Sequence, residues 1–379
     1  MYQSIKNTFI DIFDQEPLLV YSPGRINLIG EHTDYNGGFV LPAAIDKKMV
    51  VAIAENDSQK ARVYSVDFEE EFSFDIYSFS PKIGHWATYV MGVVSQLQQA
   101  GYTVKGFDMV FGGDIPVGAG LSSSAALECA VGFALSELFG FDIPKKSLVH
   151  YAQKAEHTFA GVQCGIMDQF ASAMGKKGFA IRLDCRTLDF DYFPINLGEY
   201  KILLVDSQVK HSLADSAYNK RRLECEEGVK AAQQIQADVR DLRDVSIDLL
   251  DQLNLDAVVY DRCKFVIEEN QRVLDSCELL SKGDLEGFGR KVYQSHQGLS
   301  KLYEVSCEEL DFLVDFTKEI PEVLGSRMMG GGFGGCTINI VHQDAVEKLQ
   351  NEILEAYQKK FNKTPKFYIV SPEDGTGFL

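Results

Sequence analysis

The chain has little positive charge and no long apolar segment. Its 379 residues carry 37 Lys and Arg side chains against 55 Asp and Glu, a formal net charge of −18 at pH 7. This balance disfavours binding to nucleic acid or to an anionic membrane surface, because phosphate groups would be repelled. The apolar runs fall far short of the ~20 residues that span a bilayer. Residues 1–17 also lack the basic start and apolar centre of a secretory signal.

Paired cysteines are missing as well. The eight cysteines include no CxxC pair and no spacing typical of a disulfide framework or a zinc site, so we expect reduced thiols. Hydrophobic residues make up 45% of the chain and charged residues 24%, which is typical of a globular protein. We therefore expect a cytoplasmic protein of two or three domains that binds neither nucleic acid nor a membrane. We also expect a monomer, although composition does not determine the oligomeric state.

Short β-branched and aromatic runs between turn residues predict strands in the first half, at residues 18–22, 37–45, 49–55, 61–68 and 107–115. Apolar residues at helical spacing predict helices at residues 86–101 and from the serines at 122–124 to residue 140. The second half is predicted to be mostly helical over residues 212–317, with strands at 178–184, 201–206, 336–342 and 366–371. This pattern predicts an α+β fold in two lobes, residues 1–176 and 177–379.

A glycine- and serine-rich segment, GAGLSSSAAL at residues 118–127, lies between a predicted strand and a predicted helix. Glycine lets the backbone approach a ligand, and the first-turn N–H groups and dipole of a helix favour an anion. The segment is not a Walker A loop, because the Lys is missing, nor a dinucleotide fingerprint, because the third Gly is missing. A phosphate site and an ordinary serine-capped helix both stay open at this point.

A second segment concentrates polar groups. Residues 22–44 read SPGRINLIGEHTDYNGGFVLPAA and place Arg25, Glu31, His32 and Asp34 within ten residues. Such density on a chain constrained by glycine and proline suits recognition of a hydroxyl-rich ligand, since each hydroxyl needs a placed partner. The alternative is a solvated loop with an NGG turn. The cluster as a whole favours a binding function.

In two further segments, glycines affect the path of the backbone. Residues 330–335, GGGFGG, lose much conformational entropy on ordering, which predicts a backbone held close to a ligand or to another backbone. In residues 155–175, Glu156 and Asp168 would lie ~18 Å apart along a straight helix. Gly161 and Gly165 predict a break that brings both carboxylates near one ligand. Asp168 is then the candidate general base.

In this order and at these separations, the segments resemble the three motifs of the GHMP small-molecule kinases, and most closely the galactose-phosphorylating members of that family. Residues 22–44 resemble the sugar signature, GAGLSSSAAL the phosphate loop, CGIMDQF (164–170) the catalytic segment and GGGFGGCT (330–337) the third motif. WATYVMGVV (86–94) and SAYNKRR (216–222) also fit. The resemblance implies an N-terminal lobe related to a ribosomal-protein β-α-β domain, a C-terminal α+β lobe and an active site between them.

The resemblance also implies an activity and a set of site residues. The activity is transfer of a phosphoryl group from ATP to the anomeric hydroxyl of α-D-galactose, with Mg²⁺, giving galactose 1-phosphate and ADP. By position, Asp168 is expected to accept the hydroxyl proton late in the reaction, and Arg25 to hold Asp168 ionised and to stabilise the transferring group. The expected sugar-site residues are Glu31, His32, Thr33, Asp34, Gly165 and Tyr218. The expected nucleotide contacts are Ser65, Trp86, Gly118, Ala119, Gly120, Leu121, Ser122, Ser123 and Ser124, with Ser124 and Glu156 on Mg²⁺. Trp86 could equally be a core anchor of its helix.

Three alternatives remain to be weighed. The first is a kinase of the same family for N-acetylgalactosamine or another sugar. The second is a galactose- and ATP-binding sensor without turnover, which would be expected to lose part of the phosphate loop or the base. Here Arg25, Ser124, Glu156 and Asp168 are all present, which disfavours it. The third, an NAD-binding enzyme, lacks GxGxxG after a strand and an acidic ribose partner.

Overall fold

The structure is a computed structural model that describes residues 2–116, 118–209 and 214–379. Its α-helices are α1 Tyr2–Phe13, α2 Ala87–Gln99, α3 Ser123–Leu138, α4 Lys145–Ala155, α5 Met167–Met174, α6 Ala214–Gln233, α7 Ile247–Leu250, α8 Ala257–Lys282, α9 Leu285–Lys301, α10 Glu308–Thr317 and α11 Val346–Phe361. Its strands are β1 Leu18–Asn27, β2 Phe39–Val40, β3 Pro42–Glu55, β4 Lys60–Ser65, β5 Glu70–Asp75, β6 Phe107–Gly113, β7 Phe179–Asp184, β8 Phe190–Pro194, β9 Tyr200–Asp206, β10 Val323–Met328, β11 Cys336–His342, β12 Lys366–Val370 and β13 Gly377–Phe378.

The strands of the described residues form three sheets. The first has the order β13-β1-β3-β6-β4-β5, in which only β4 and β6 are parallel. The second has the order β10-β11-β9-β12 and the third β2-β7-β8. Strand β13, at the end of the chain, pairs with β1 near its start. The chain therefore returns to the first sheet after building the second.

The first sheet is covered on both faces because side chains alternate along its strands. In β3, Val51 and Ile53 face the main core, whereas Val50 and Ala52 pack against α1. Helix α3 lies on the main-core side, against β1 and β3 and among α2, α4 and α5. Residues 125–136 of α3 are all buried, as expected for a helix that is apolar on every face. This helix is therefore the central helix of the main core.

Most of the predicted elements are confirmed. Helices α2 and α3 match their predicted ranges, and the helical stretch predicted from residue 212 is confirmed from residue 214, since residues 212 and 213 lie outside the described part of the chain. The runs at 37–45 and 49–55 form β2 and one long strand, β3. Helices α1, α4 and α11 and strands β5, β8, β10 and β13 are not among the predicted elements. No helix in the described ranges has the length and apolar character to cross a bilayer.

Candidate active site

A cavity of about 310 Å³ lies where the loop after β1, the segment between α4 and α5, helix α6 and the third glycine-rich segment meet. Eight predicted site residues line it: Arg25, Glu31, His32, Asp34, Glu156, Gly165, Asp168 and Tyr218. Gly330, Gly331 and Gly332 also contribute to its wall. One concave site thus gathers residues from four separate parts of the sequence.

The centre of the cavity is an ion pair between Arg25 and Asp168. Arg25, on β1, donates from Nε and Nη2 to the two carboxylate oxygens of Asp168, both at 2.8 Å. Burial disfavours charge on Arg25, but the carboxylates of Asp168 and Glu31 raise the pKa of its guanidinium. The Ser122 hydroxyl donates to the same carboxylate. Three donors on one carboxylate hold it in place.

The predicted break between Glu156 and Asp168 is confirmed. Helix α4 ends at Ala155, a π-helical turn covers Glu156–Ala160, and Gly161 follows with φ +77° before α5 begins at Met167. The bend brings both carboxylates to the same cavity. In a straight helix, several turns would separate the two carboxylates along the helix axis.

Glu156 lies beside the phosphate loop. It is buried, and its Oε1 accepts a hydrogen bond from Ser124 Oγ at 3.2 Å while its Oε2 accepts one from Gln169 Nε2 at 2.6 Å. Burial and the neighbouring Asp168 carboxylate raise its pKa. Both effects would be relieved by a cation at this carboxylate.

The first loop is fixed to the third glycine-rich segment through Glu31. Its Oε1 accepts hydrogen bonds from Arg327 Nη2 at 3.1 Å and from the backbone N–H of Gly330 at 2.8 Å. Arg327 is completely buried and also donates to the carbonyls of Asn27 and Leu28. Loss of one partner would leave the other charge buried and uncompensated, which is strongly destabilising. The first loop and the third glycine-rich segment are therefore held in fixed positions relative to each other.

His32 is neutral in its pocket. Burial, together with the charges of Arg221 and Arg327, lowers its pKa to about 3. Its Nδ1 lies 2.7 Å from Tyr35 Oη, and its Nε2 is buried without a hydrogen-bond partner among the described residues. His32 therefore lines the cavity as a neutral ring.

Asp34 depends on the glycine at 165. A Cβ added to Gly165 would lie 1.6 Å from Asp34 Oδ2, so any side chain there would displace the carboxylate. Burial, then the Asp168 and Glu31 carboxylates, raise the pKa of Asp34 to about 7. Sequence reasoning placed both residues in one site, and the structure adds that one makes room for the other.

Thr33 does not face the cavity. It is buried, and its hydroxyl donates to the carbonyls of Gly30 at 2.9 Å and Phe39 at 2.6 Å. Helix α8 holds the same loop from outside, since Glu269 Oε1 accepts from Gly30 N–H at 2.9 Å and Asn270 Oδ1 from Phe39 N–H at 2.8 Å. These contacts shape the loop, and Thr33 belongs with them.

The phosphate loop contains three left-handed backbone conformations. Gly118, Gly120 and Ser122 have φ of +80°, +73° and +58°. Ser122 makes no side-chain cap at the start of α3, so the interpretation as an ordinary serine-capped helix is wrong. The loop is tied to the cavity because Arg25 donates to the Leu121 carbonyl from its backbone N–H at 3.1 Å and to the Gly120 carbonyl from Nη1.

The third glycine-rich segment runs against other backbones. A Cβ at Gly332 would lie 2.1 Å from the Val305 carbonyl oxygen, and one at Gly334 would lie 2.5 Å from that of Val209. Both glycines also have positive φ, +82° and +151°. The prediction of close backbone approach is confirmed.

Ser65 and Trp86 lie away from the cavity. Both are near Phe111 in β6, Ser65 as its strand partner and Trp86 with ring centroids 5.2 Å apart. Ser65 is buried with no partner for its hydroxyl in the described chain, and Trp86 donates from Nε1 to Glu70 at 2.9 Å. The two residues share one neighbourhood on the strand that leads to the phosphate loop. Their contact with a nucleotide stays a prediction.

Several residues of the site carry no signal in the sequence. Arg327, Glu269 and Tyr303 are buried polar or aromatic side chains whose partners lie hundreds of positions away along the chain. Glu128 is fully buried in α3, and burial and the Glu156 carboxylate raise its pKa well above its ordinary value. Among these additional residues, the sequence gives a partial indication of a role in the site only for Arg221, which falls within the motif SAYNKRR (216–222).

Known proteins match the chain over almost its whole length. Family models match for the galactokinase galactose-binding signature at residues 7–55, the N-terminal domain of GHMP kinases at residues 88–176 and their C-terminal domain at residues 277–359. A galactokinase from Thermotoga neapolitana is 46% identical over 94% of this chain and 98% of that protein. One from Clostridium acetobutylicum is 41% identical over 98% of this chain and 97% of that protein.

Solved structures give the same result. The crystal structure of Lactococcus lactis galactokinase complexed with galactose has a TM-score of 0.95 and 35% identity, covering 100% of this chain and 99% of that one. A Methanococcus jannaschii mevalonate kinase has a TM-score of 0.70 at 17% identity, covering 95% of this chain and 99% of that one. The second likeness concerns the fold alone.

Proposed function

Because this chain belongs to the galactokinases of the GHMP kinase family and phosphorylates galactose with ATP, we propose how its own residues carry out the transfer. The observation that carries the proposal is the two-point ion pair between Arg25 and Asp168. It lies in the sugar cavity and is tied to the phosphate loop through the carbonyls of Gly120 and Leu121. Sugar and triphosphate can therefore meet at this pair.

Asp168 orients the anomeric hydroxyl of galactose and accepts its proton. The hydroxyl oxygen forms a bond to the γ-phosphorus of ATP, the bond from that phosphorus to the β,γ-bridging oxygen breaks, and ADP leaves. Asp168 is held by hydrogen bonds from Arg25 and Ser122. Because any carboxylate is a weak base compared with an alkoxide, the proton moves late, after most of the negative charge has developed. Arg25 stabilises charge on the transferring group.

The remaining cavity residues recognise the sugar. Glu31, His32, Asp34 and Tyr218 converge on the cavity, and a hydroxyl-rich ligand needs such directional partners. Galactose differs from glucose at the C4 hydroxyl alone. A partner placed for the axial hydroxyl is left unsatisfied when glucose binds, which can cost several kcal/mol.

The phosphate side has the donor set for Mg²⁺. Glu156 supplies a carboxylate whose pKa burial and Asp168 raise, and Ser124 supplies a hydroxyl 3.2 Å from it. No group of three or more His, Cys, Asp or Glu side chains suited to a metal was found in the described ranges. Mg²⁺ commonly takes one or two protein oxygens plus phosphates and water, so these two residues fit. When bound, Mg²⁺ neutralises phosphate charge.

The backbone of residues 118–124 holds the triphosphate at the start of α3. Ser65 and Trp86 contact the nucleotide beyond it.

The lobes divide at residue 176, where the match to the N-terminal family domain also ends. The protein acts in the cytoplasm as a monomer.

The test is ADP release from Mg-ATP with galactose, N-acetylgalactosamine, glucose, mannose or no sugar. We expect release that depends on galactose and is weak with the others. Preference for N-acetylgalactosamine would preserve the mechanism and overturn the sugar assignment. Galactose binding without ADP release would make the chain a sensor and remove Asp168 as a base.

A further inference from the structure

The last residues of the chain, 371–379, run beside the elements that carry the Arg25–Asp168 ion pair, and we call them the C-terminal strap. The backbone N–H of Glu373 donates to the carbonyl of Ala44 at 3.0 Å. Ala44 lies in β3 and is the strand partner of Arg25 in β1. Farther along the strap, β13 pairs with β1 itself. The C-terminal strap therefore contacts the strand of Arg25 and the strand next to it.

The C-terminal strap also contacts helix α5, which carries Asp168 in its first turn. The backbone N–H of Gly375 donates to the carbonyl of Gly175 at 2.9 Å, just after the helix ends. A Cβ added to Gly375 would lie 2.5 Å from the carbonyl oxygen of Ala173. The strap and the end of α5 are therefore in direct backbone contact, with no room for a side chain between them.

Thr376 joins β1 to α5 through its side chain. It is 2% exposed, and its Oγ1 lies 2.8 Å from Ser22 Oγ in β1 and 3.1 Å from the Ser172 carbonyl oxygen in α5. Its backbone N–H donates to the same carbonyl at 2.9 Å. A carbonyl only accepts, so both hydroxyl protons have an acceptor when Thr376 donates to Ser172 and Ser22 donates to Thr376. One buried threonine thus connects the two elements.

Both contacts of Thr376 lie close to the ion pair along the chain. Ser22 precedes Arg25 by three positions, and the register of β1 with β3 shifts between Pro23 and Arg25. The regular ladder of the sheet is therefore interrupted just before Arg25. On the other side, Ser172 follows Asp168 by four positions, about one turn of α5. A displacement at either contact would be passed on to one member of the pair.

We propose that Thr376 is a positioning residue that fixes the separation of Arg25 and Asp168 for phosphoryl transfer. This rests on the proposed function, in which the pair orients the anomeric hydroxyl and stabilises the transferring group. Misplacement of a reacting group by about 1 Å can lower a rate about 10²-fold. Thr376 does not line the cavity, so its loss should act on turnover and leave sugar binding nearly unchanged.

Steady-state kinetics of the whole protein test this role. Thr376→Val keeps the shape of the side chain and removes its hydroxyl, so we expect kcat to fall about 3- to 10-fold, the worth of one hydrogen bond, while the Kd for galactose changes by less than about 2-fold. Thr376→Ser restores a hydroxyl and should recover most of the lost kcat. Ser22→Ala should also lower kcat, and the double variant with Thr376→Val should lose no more than Thr376→Val alone, because both act through one contact. Fully additive losses would overturn the connection through Ser22.

Thr317→Val is the matched control for loss of a buried hydroxyl. Thr317 is buried in α10, donates to the Val314 carbonyl at 2.7 Å and lies 3.0 Å from Tyr293 Oη. The substitution removes the same two kinds of contact at a residue that does not line the cavity. It should lower the Tm and leave kcat unchanged. An equal loss of kcat in Thr317→Val, or a normal kcat in Thr376→Val, would refute the positioning role.

A second measurement reads the ion pair without turnover. Spectra of ¹⁵N-arginine-labelled protein report the Nε–H of Arg25, and Arg25→Lys identifies its signal. This proton lies in a 2.8 Å bond to Asp168, and the Arg25 side chain is 5% exposed, so its exchange with water should be slow. We expect exchange about 3- to 10-fold faster in Thr376→Val, since the pair opens more often, and an unchanged rate in Thr317→Val.

The two measurements separate the proposal from the function on which it rests. An unchanged exchange rate in Thr376→Val would overturn the proposal. Faster exchange with a normal kcat would refute the catalytic role of the ion pair. Absence of ADP release from the unsubstituted protein with any sugar would instead refute the proposed function, and the exchange rate would still report whether Thr376 positions the pair.

Discussion

On the sugar side of the active site, side chains converge on the cavity and are held by buried partners, as Glu31 is held by Arg327 and Asp34 is accommodated by Gly165. On the proposed phosphate side, residues 118–124 include left-handed backbone conformations at Gly118, Gly120 and Ser122. In the proposed function, this difference follows from the chemistry of the two ligands. A sugar is distinguished by the direction of its hydroxyls, whereas a triphosphate needs positive potential and close approach, which N–H groups and a helix start provide.

The largest expected effect lies where the two sides meet. We expect Asp168→Asn to lower kcat at least about 10³-fold, because the proton acceptor is lost, while the Kd for galactose changes little. Steady-state kinetics and calorimetric titration with galactose measure the two quantities. Asp191→Asn removes the partner of Arg182 at the surface and is the matched control. Near-normal turnover in Asp168→Asn would remove this residue as the base.

The sugar side should respond to a change of shape. We expect Gly165→Ala to raise the KM for galactose about 10-fold or more, because the added methyl occupies the place of the Asp34 carboxylate. The KM for ATP should stay nearly constant, which separates this wall from the phosphate wall. Gly132→Ala, where a Cβ has ordinary contacts in α3, controls for the substitution itself. An unchanged KM for galactose would mean that Asp34 does not contact the sugar.

The phosphate side should respond to the metal. We expect Ser124→Ala and Glu156→Gln to raise the Mg²⁺ concentration for half-maximal rate about 3- to 10-fold, since each removes or weakens one oxygen donor. Mg²⁺ titrations at saturating ATP and galactose measure the change. Glu137→Gln, at an exposed position of α3, is the control. If neither variant alters the Mg²⁺ requirement, the metal lies elsewhere.

The smallest expected effect is on how the free energy of unfolding changes with pH. Since the pKa of Asp34 is raised to about 7 in the folded protein, the folded state binds this proton more tightly than the unfolded state. The stability from that proton is present below pH 4 and is lost as the pH rises to 7. Asp34→Asn removes the dependence, so its free energy of unfolding relative to the unsubstituted protein should increase by about 1–3 kcal/mol between pH 5 and pH 8. Asp142→Asn, at an exposed aspartate, should show no such trend.

Denaturant unfolding without sugar measures this difference. The same variant should bind galactose more weakly, since the carboxylate faces the cavity. A constant difference between the two pH values would mean that Asp34 titrates normally in the folded chain.

Sequence reasoning grouped the residues that line the cavity more directly than it placed Trp86. Glu31, His32 and Asp34 lie close together along the chain, so their density was visible before any fold was known. The role of Trp86 could not be assigned in this way. A lone tryptophan at the start of a helix gives the same sequence pattern whether it packs in a core or contacts a ligand. In the structure its ring lies among Phe72, His85 and Phe111. Thr33 shows the opposite case, a residue within the motif whose hydroxyl is used by the loop itself.

The amino-acid sequence by itself determined the motifs, the break before Asp168 and the need for glycine at the third segment, because these depend on local spacing and on backbone freedom. Only the tertiary structure decided that Arg25 meets Asp168 through two parallel hydrogen bonds across 143 positions. The same holds for the contact of Arg327 with Glu31 across 296 positions. It alone revealed that Thr376 in the C-terminal strap joins β1 to α5. The physical reason is that local periodicity records which face of an element is buried, whereas the partner of a buried polar group is set by how distant elements pack.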